Sequence, residues 1–141
     1  MLSDIEERCN TIEECYEFTL AYAAQGLTSE LGSESGNPIR EQLGRAVAAL
    51  SGLEESCARA IKEDRLAPAA RYEAFFAVLG RDAQSSIAAI ELVLVQPSIS
   101  SQLIDNLNAS IHLRALLTDL FLVSEILGKT SSPEADHAPA S

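Results

Sequence analysis

Apolar residues recur at alternating intervals of three and four along most of this chain, and this spacing constrains the fold more than any other feature of the sequence. It is the spacing that lines one face of an α-helix. Only residues 90–95 have the β-branched content of a strand, and a strand without a partner leaves its backbone groups unpaired. We therefore predict an all-α fold. The stripe of the first segment consists of Leu2, Ile5, Cys9, Ile12, Tyr16, Thr19 and Ala23.

Gly, Pro and Ser residues divide this pattern into four segments, which predicts four helices. They cover about residues 2–26, 37–64, 69–95 and 98–128. Gly80 leaves open a break within the third helix. Short connections place successive helices in opposite directions, so we predict an antiparallel up-down-up-down four-helix bundle over residues 1–128. Residues 129–141 are polar and contain two prolines, and we predict that they form a disordered tail.

The chain is strongly acidic, with a formal net charge of −11 over its 141 residues. An acidic surface repels phosphate groups, which argues against nucleic acid and anionic membranes as partners. No run of about 18 uncharged apolar residues is present, so we expect no membrane-spanning helix. The five glutamates between Glu6 and Glu17 form either a solvated face or a docking surface for a basic protein partner.

The three cysteines form no Cys-x-x-Cys pair and are odd in number, which is not typical of a secreted disulfide framework. The acidic N-terminal segment lacks the features of a signal peptide. We therefore expect a cytoplasmic protein with reduced thiols. Cys9 and Cys57 fall on core stripes, whereas Cys15 is expected outside the core face, where neighbouring glutamates would raise its pKa and suppress its reactivity.

Two of the predicted helices carry more apolar surface than one core requires. In the first helix Phe18 and Tyr22 lie opposite the core stripe, and in the fourth a second strip includes Ile111, Leu122 and Ile126. A row of such residues indicates an interface, so we predict a homodimer, the commonest soluble assembly. The alternative is that these strips pack under the 26–37 connection or under the tail.

Four aromatic residues are candidates for a ligand pocket between helices: Tyr72, Phe75, Phe76 and Phe121. Aromatic residues at helical spacing also fill ordinary core volume, so the pattern admits both interpretations. In the predicted fourth helix, Asn108 and His112 are four residues apart and form a candidate polar site. Asp105 and Asp119 are each seven residues from His112, too far to share a metal ion with it.

These features favour a non-enzymatic protein–protein interaction or assembly module, acting as an adaptor, a chaperone or a regulatory subunit. The alternative is a small-molecule sensor or carrier that binds an apolar ligand between its helices. An enzyme is the least favoured class because no nucleophile–base or acid–base pair is evident. No catalytic residue, metal site or cofactor is predicted.

Overall fold

The computed structural model describes residues 2–32 and 37–131, and this part of the chain is all-α, without a β-strand. Its helices are α1 (Leu2–Ala24), α2 (Asn37–Ser51), α3 (Leu53–Glu63), α4 (Ala69–Leu94), α5 (Ser101–Ala109) and α6 (Ile111–Ser131). A short 3₁₀ turn covers Glu30–Gly32. None of the described helices is both long and apolar enough to cross a membrane. The all-α prediction is therefore confirmed, whereas the four predicted helices correspond to six helical segments in the described residues.

The first helix agrees with its apolar pattern. Cys9 and Thr19 on the predicted stripe are both buried, and the chain leaves α1 through Gly26, whose φ of +67° is a conformation that favours glycine. α4 is also continuous: it passes through Gly80 without a break and includes all but the last of residues 90–95. A side chain at Gly80 would collide with Glu54 of α3, so this glycine permits the close approach of α3 to α4.

The predicted second helix is divided at Gly52, between α2 and α3. The guanidinium group of Arg8 in α1 occupies the space that a side chain at position 52 would need. Its Nη1 donates to the carbonyl oxygen of Ala49 at 3.0 Å, which satisfies a backbone acceptor at the end of α2. Arg8 Nε also donates to Ser56 in α3, at 3.0 Å. One side chain of α1 therefore holds the junction of the next two helices.

The predicted fourth helix is divided at Ser110, whose backbone is extended (φ −62°, ψ 143°). The Ser110 hydroxyl oxygen accepts a hydrogen bond from Leu113 N at 3.3 Å and so caps the start of α6. Because the helical rotation is interrupted at Ser110, one helical wheel cannot describe the residues on both sides of the break. Ile104 in α5 is fully buried, whereas Phe121 in α6, a predicted pocket residue, is 53% exposed.

The core contains buried residues from all six described helices, and Cys9 of α1 and Cys57 of α3 are buried in it as predicted. α4 packs against α2, α3 and α6, while α1 packs against α2 and α5. The helical backbone of α6 continues past Gly128 to Ser131, three residues beyond the predicted end. The rest of the predicted tail, residues 132–141, lies outside the described residues, as do residues 33–36 of the predicted loop.

Candidate interaction groove

An apolar groove runs between the N-terminal part of α4 and the C-terminal part of α6, and we call it the α4/α6 groove. Its volume is about 170 Å³. One wall comes from the first two turns of α4, and the other comes from the last turns of α6 before Gly128. Apart from the side chain of Arg71, the groove is lined by aromatic and aliphatic residues: Tyr72, Phe75, Phe76, Leu122, Val123, Ile126 and Leu127.

A ridge of exposed apolar side chains borders this groove along α6. The ridge consists of Leu122 and Ile126, which are 50% and 42% exposed. Leu122 and Ile126 belong to both the ridge and the groove wall, so the convex and concave surfaces adjoin. Exposed apolar residues that cluster beside a hollow are typical of binding surfaces, whereas scattered ones are not informative.

The sign of the nearby charge differs between the two sides of α6. On the side of α4, Arg71 lies at the groove. On the side of α1, a second hollow contains Glu6 and Glu13 together with Ser124 of α6. A partner that lies across α6 would therefore meet apolar side chains on one flank and carboxylates on the other.

Some of the predicted interface residues are exposed in the structure and others are buried. Leu122 and Ile126 are exposed at the groove, and Ile111 is 75% exposed at the start of α6. Phe18 is partly buried against the core. The expectation for Tyr22 was wrong: its side chain is 1% exposed, and its hydroxyl group donates to Ile99 O at 2.7 Å. A wheel drawn for α1 alone could not show that the α4–α5 connection covers this side of the helix.

Three of the four predicted pocket residues line one groove: Tyr72, Phe75 and Phe76. Phe121 is 53% exposed and is not among the residues that line this groove. From the sequence, the pocket residues and the interface residues were predicted to form two separate features. The structure brings members of both sets to the same place, because α4 and α6 are neighbours.

The predicted polar site of Asn108 and His112 does not form. The break at Ser110 lies between them, so their spacing of four residues no longer places them on one helical face. Asn108 is buried in the core, whereas His112 is exposed. Among the described residues, no three His, Cys, Asp or Glu side chains are arranged to hold a metal ion.

The cysteine thiols are all free and buried. Cys15 was expected outside the core, which was wrong, and burial rather than the neighbouring glutamates raises its pKa to about 11. Burial likewise raises the pKa of Cys57 to about 12. Because the thiolate is the nucleophilic form, neither side chain is activated for covalent chemistry in this fold.

Sequence analysis did not find the buried ion pair of Glu30 and Arg40. Glu30 is 1% exposed although it lies in the predicted loop, and its Oε2 is 2.6 Å from Arg40 Nε. Its Oε1 accepts the backbone N–H of Ile99 at 2.7 Å. Burial raises the pKa of Glu30, but the hydrogen bonds from Ile99 and Arg40 outweigh it and hold this pKa below its usual value.

Arg40 also joins three chain segments. Besides its contact with Glu30, it donates to the carbonyl oxygens of Leu94 and Gln96, each at 2.8 Å. These carbonyl groups belong to the C-terminal end of α4 and the connection that follows it. The Glu30–Arg40 pair therefore fixes the start of α2, the 3₁₀ turn and the α4–α5 connection to one another.

A second unexpected pair consists of Asp82 in α4 and Asp119 in α6, whose carboxyl groups interact with each other. Asp119 Oδ2 is buried and has no hydrogen-bond partner among the described residues, which favours the protonated form of this carboxyl group. Burial and the Asp82 carboxylate raise the pKa of Asp119 to about 7. The two residues are 37 positions apart, so no local pattern could indicate their contact.

Comparison with protein-family models, with curated proteins and with solved structures finds no significant match for this chain.

Proposed function

We propose that this chain is a non-enzymatic protein–protein interaction or assembly module, an adaptor, chaperone or regulatory subunit that binds through the α4/α6 groove and its ridge. The observation that carries the proposal is the exposure of Leu122 and Ile126 at an aromatic hollow. Burial of such side chains stabilises a complex by roughly 1.5–3 kcal/mol for each large apolar residue. The side chains at the groove are suited to contact rather than to acid–base chemistry.

The first occupant that we propose is a second copy of the chain. A twofold axis brings the same surface of both subunits together, so the surface must be complementary to itself. The ridge and the groove meet this requirement because they adjoin on one face: the ridge of each subunit can enter the groove of the other. The net charge of −11 opposes this contact at low ionic strength.

A protein partner with a basic surface is the second occupant of this face. Glu6 and Glu13 flank α6 on the side away from the groove, so an amphipathic segment with apolar and basic faces matches both surfaces. Salt separates the two occupants. Added salt screens the repulsion between two acidic subunits and strengthens a homodimer, but it weakens the binding of a basic partner.

Leu122→Asp is expected to weaken the homodimer by tenfold or more in Kd, because it places a charge at the centre of the apolar contact. Sedimentation equilibrium at micromolar concentration measures the change, and circular dichroism checks that helicity is retained. Leu92→Asp is the matched control, since Leu92 is 65% exposed but lies near the other end of α4. Equal dissociation constants for wild type and Leu122→Asp, or a monomeric wild-type chain, would contradict the self-association.

A small-molecule carrier is the alternative function, and one observation favours it. The α4/α6 groove is apolar and aromatic except for Arg71, which is the composition of many ligand sites. Native mass spectrometry of freshly purified protein separates the two functions. A co-purified apolar molecule that is lost in a Phe75→Ala variant supports the carrier, whereas a bare oligomer supports the interaction module.

We further propose the antiparallel up-down-up-down order of the bundle and a reducing, cytoplasmic environment. The contacts between the first turns of α4 and the last turns of α6 support the first proposal. Three buried free cysteines support the second, because disulfides form and persist in oxidising compartments and are rare where thiols are kept reduced.

A further inference from the structure

Asn108 is a polar residue in an apolar part of the core. It lies in the last turn of α5, directly before the break at Ser110, and is only 8% exposed. Both its Oδ1 and its Nδ2 are buried, and neither has a hydrogen-bond partner among the described residues. Buried polar groups are almost always paired, and an unpaired one costs about 1–3 kcal/mol. The carboxamide therefore requires a partner other than the side chains and backbone groups of residues 2–32 and 37–131.

Asn108 lines a small internal cavity with a volume of about 20 Å³. Residues from α1, α2, α4, α5 and α6 surround it, so it lies where most of the helices meet. A cavity needs roughly 10–15 Å³ on this measure to hold one water molecule. The volume is therefore sufficient for one water and too small for an organic ligand.

The polar groups around this cavity suit a water molecule. Asn108 offers an acceptor at Oδ1 and two donors at Nδ2. Thr19 of α1 also lines the cavity. Its hydroxyl group donates to Tyr16 O at 2.9 Å, so the oxygen keeps lone pairs with which to accept another hydrogen bond. No charged side chain is among the lining residues, which disfavours an ion.

We infer that Asn108 and Thr19 form a binding site for one structural water molecule at the centre of the bundle. The water donates to Asn108 Oδ1 and to Thr19 Oγ1, and it accepts from Asn108 Nδ2. This arrangement gives a partner to the carboxamide oxygen and to one of its two N–H groups, and it links the end of α5 to α1. It also explains why a polar residue is accommodated at the position where the chain turns from α5 into α6.

The direct test is a crystal structure of the wild-type protein at a resolution that defines ordered water. The expected result is one water within hydrogen-bonding distance of Asn108 Oδ1 or Nδ2 and of Thr19 Oγ1. Direct hydrogen bonds from the carboxamide to protein groups, with no density in the cavity, would overturn the inference. This test requires no variant, so it does not depend on the stability of a mutant.

Magnetic relaxation dispersion of water oxygen-17 gives a second test in solution, because it counts long-lived internal water molecules. Asn108→Leu is expected to reduce the count by one, since the leucine side chain fills the cavity and removes the polar partners. Asn106→Leu is the matched control: Asn106 is an exposed residue of the same helix, and its replacement should leave the count unchanged. An unchanged count in folded Asn108→Leu would overturn the inference.

Discussion

Arg40→Ala is expected to lower the free energy of unfolding by about 3–5 kcal/mol, because it leaves the carboxylate of Glu30 buried without its counter-charge. Glu30 is 1% exposed in the folded protein, so its carboxylate depends on the hydrogen bonds from Arg40 and Ile99 rather than on solvent. The carbonyl oxygens of Leu94 and Gln96 lose their donor in the same variant. Urea denaturation at pH 7, followed by circular dichroism, measures the loss.

Arg45→Ala is the control for this experiment. Arg45 lies on the same helix, but its pair with Glu14 is long, at 3.7 Å, and both side chains are at least half exposed. Exposed pairs of this kind contribute about 0–1 kcal/mol. If Arg40→Ala loses no more stability than Arg45→Ala, the buried pair is not essential to the fold.

The ion pair also predicts sensitivity to acid. The pKa of Glu30 is lower in the folded protein than its usual value of 4.5. The pair therefore stabilises the fold above that value, and its contribution is lost as the pH falls through the folded pKa. We expect the free energy of unfolding to fall less steeply below about pH 4.5 in Glu30→Gln than in the wild type.

Asp119→Asn is expected to raise the free energy of unfolding at pH 8 by about 1–3 kcal/mol, because it removes the repulsion between two carboxylates. The pKa of Asp119 is raised from 3.8 to about 7, so the folded state holds a proton that the unfolded state releases. Wild-type stability should therefore fall as the pH rises from about 4 to about 7. An asparagine donates a hydrogen bond to Asp82 at every pH, so the variant should not show this fall.

Thermal unfolding between pH 5 and pH 8 tests this expectation, with Asp105→Asn as the control. Asp105 is an exposed carboxylate on α5, and its replacement should leave the pH dependence as in the wild type. A wild-type melting temperature that does not fall over this range would show that Asp119 does not hold a proton in the folded state.

The elements that sequence analysis predicted correctly are those whose cause is local. The three-four spacing of α1 and the glycine that follows it were sufficient to place that helix, and α4 ends near its predicted end. The break at Gly52 lies against the guanidinium group of Arg8, 44 positions earlier in the chain, and no local pattern could indicate this contact. The break at Ser110 had a local signal, because serine is a preferred N-cap residue, but it was hidden within a continuous apolar pattern.

The candidate site was predicted in part for the same reason. Helical spacing identified Tyr72 as a candidate pocket residue and Leu122 as a candidate interface residue. It could not show that α4 and α6 are neighbours and that these side chains share one groove. The Glu30–Arg40 pair was missed because a glycine- and serine-rich segment resembles a solvated loop. Only the packed structure shows that this glutamate reaches the backbone of Ile99.

Backbone N–H and C=O groups of the connection between α4 and α5 form hydrogen bonds with residues that are distant in the sequence. Ile99 donates to Glu30 and accepts from Tyr22, while Ser101 N donates to Leu27 O at 2.8 Å. Its amide hydrogens should therefore exchange with solvent about as slowly as those of the core helices, and only when the whole molecule unfolds. For the same reason this connection is a poor place for an inserted tag or for the new termini of a circular permutant, although it lies between two helices.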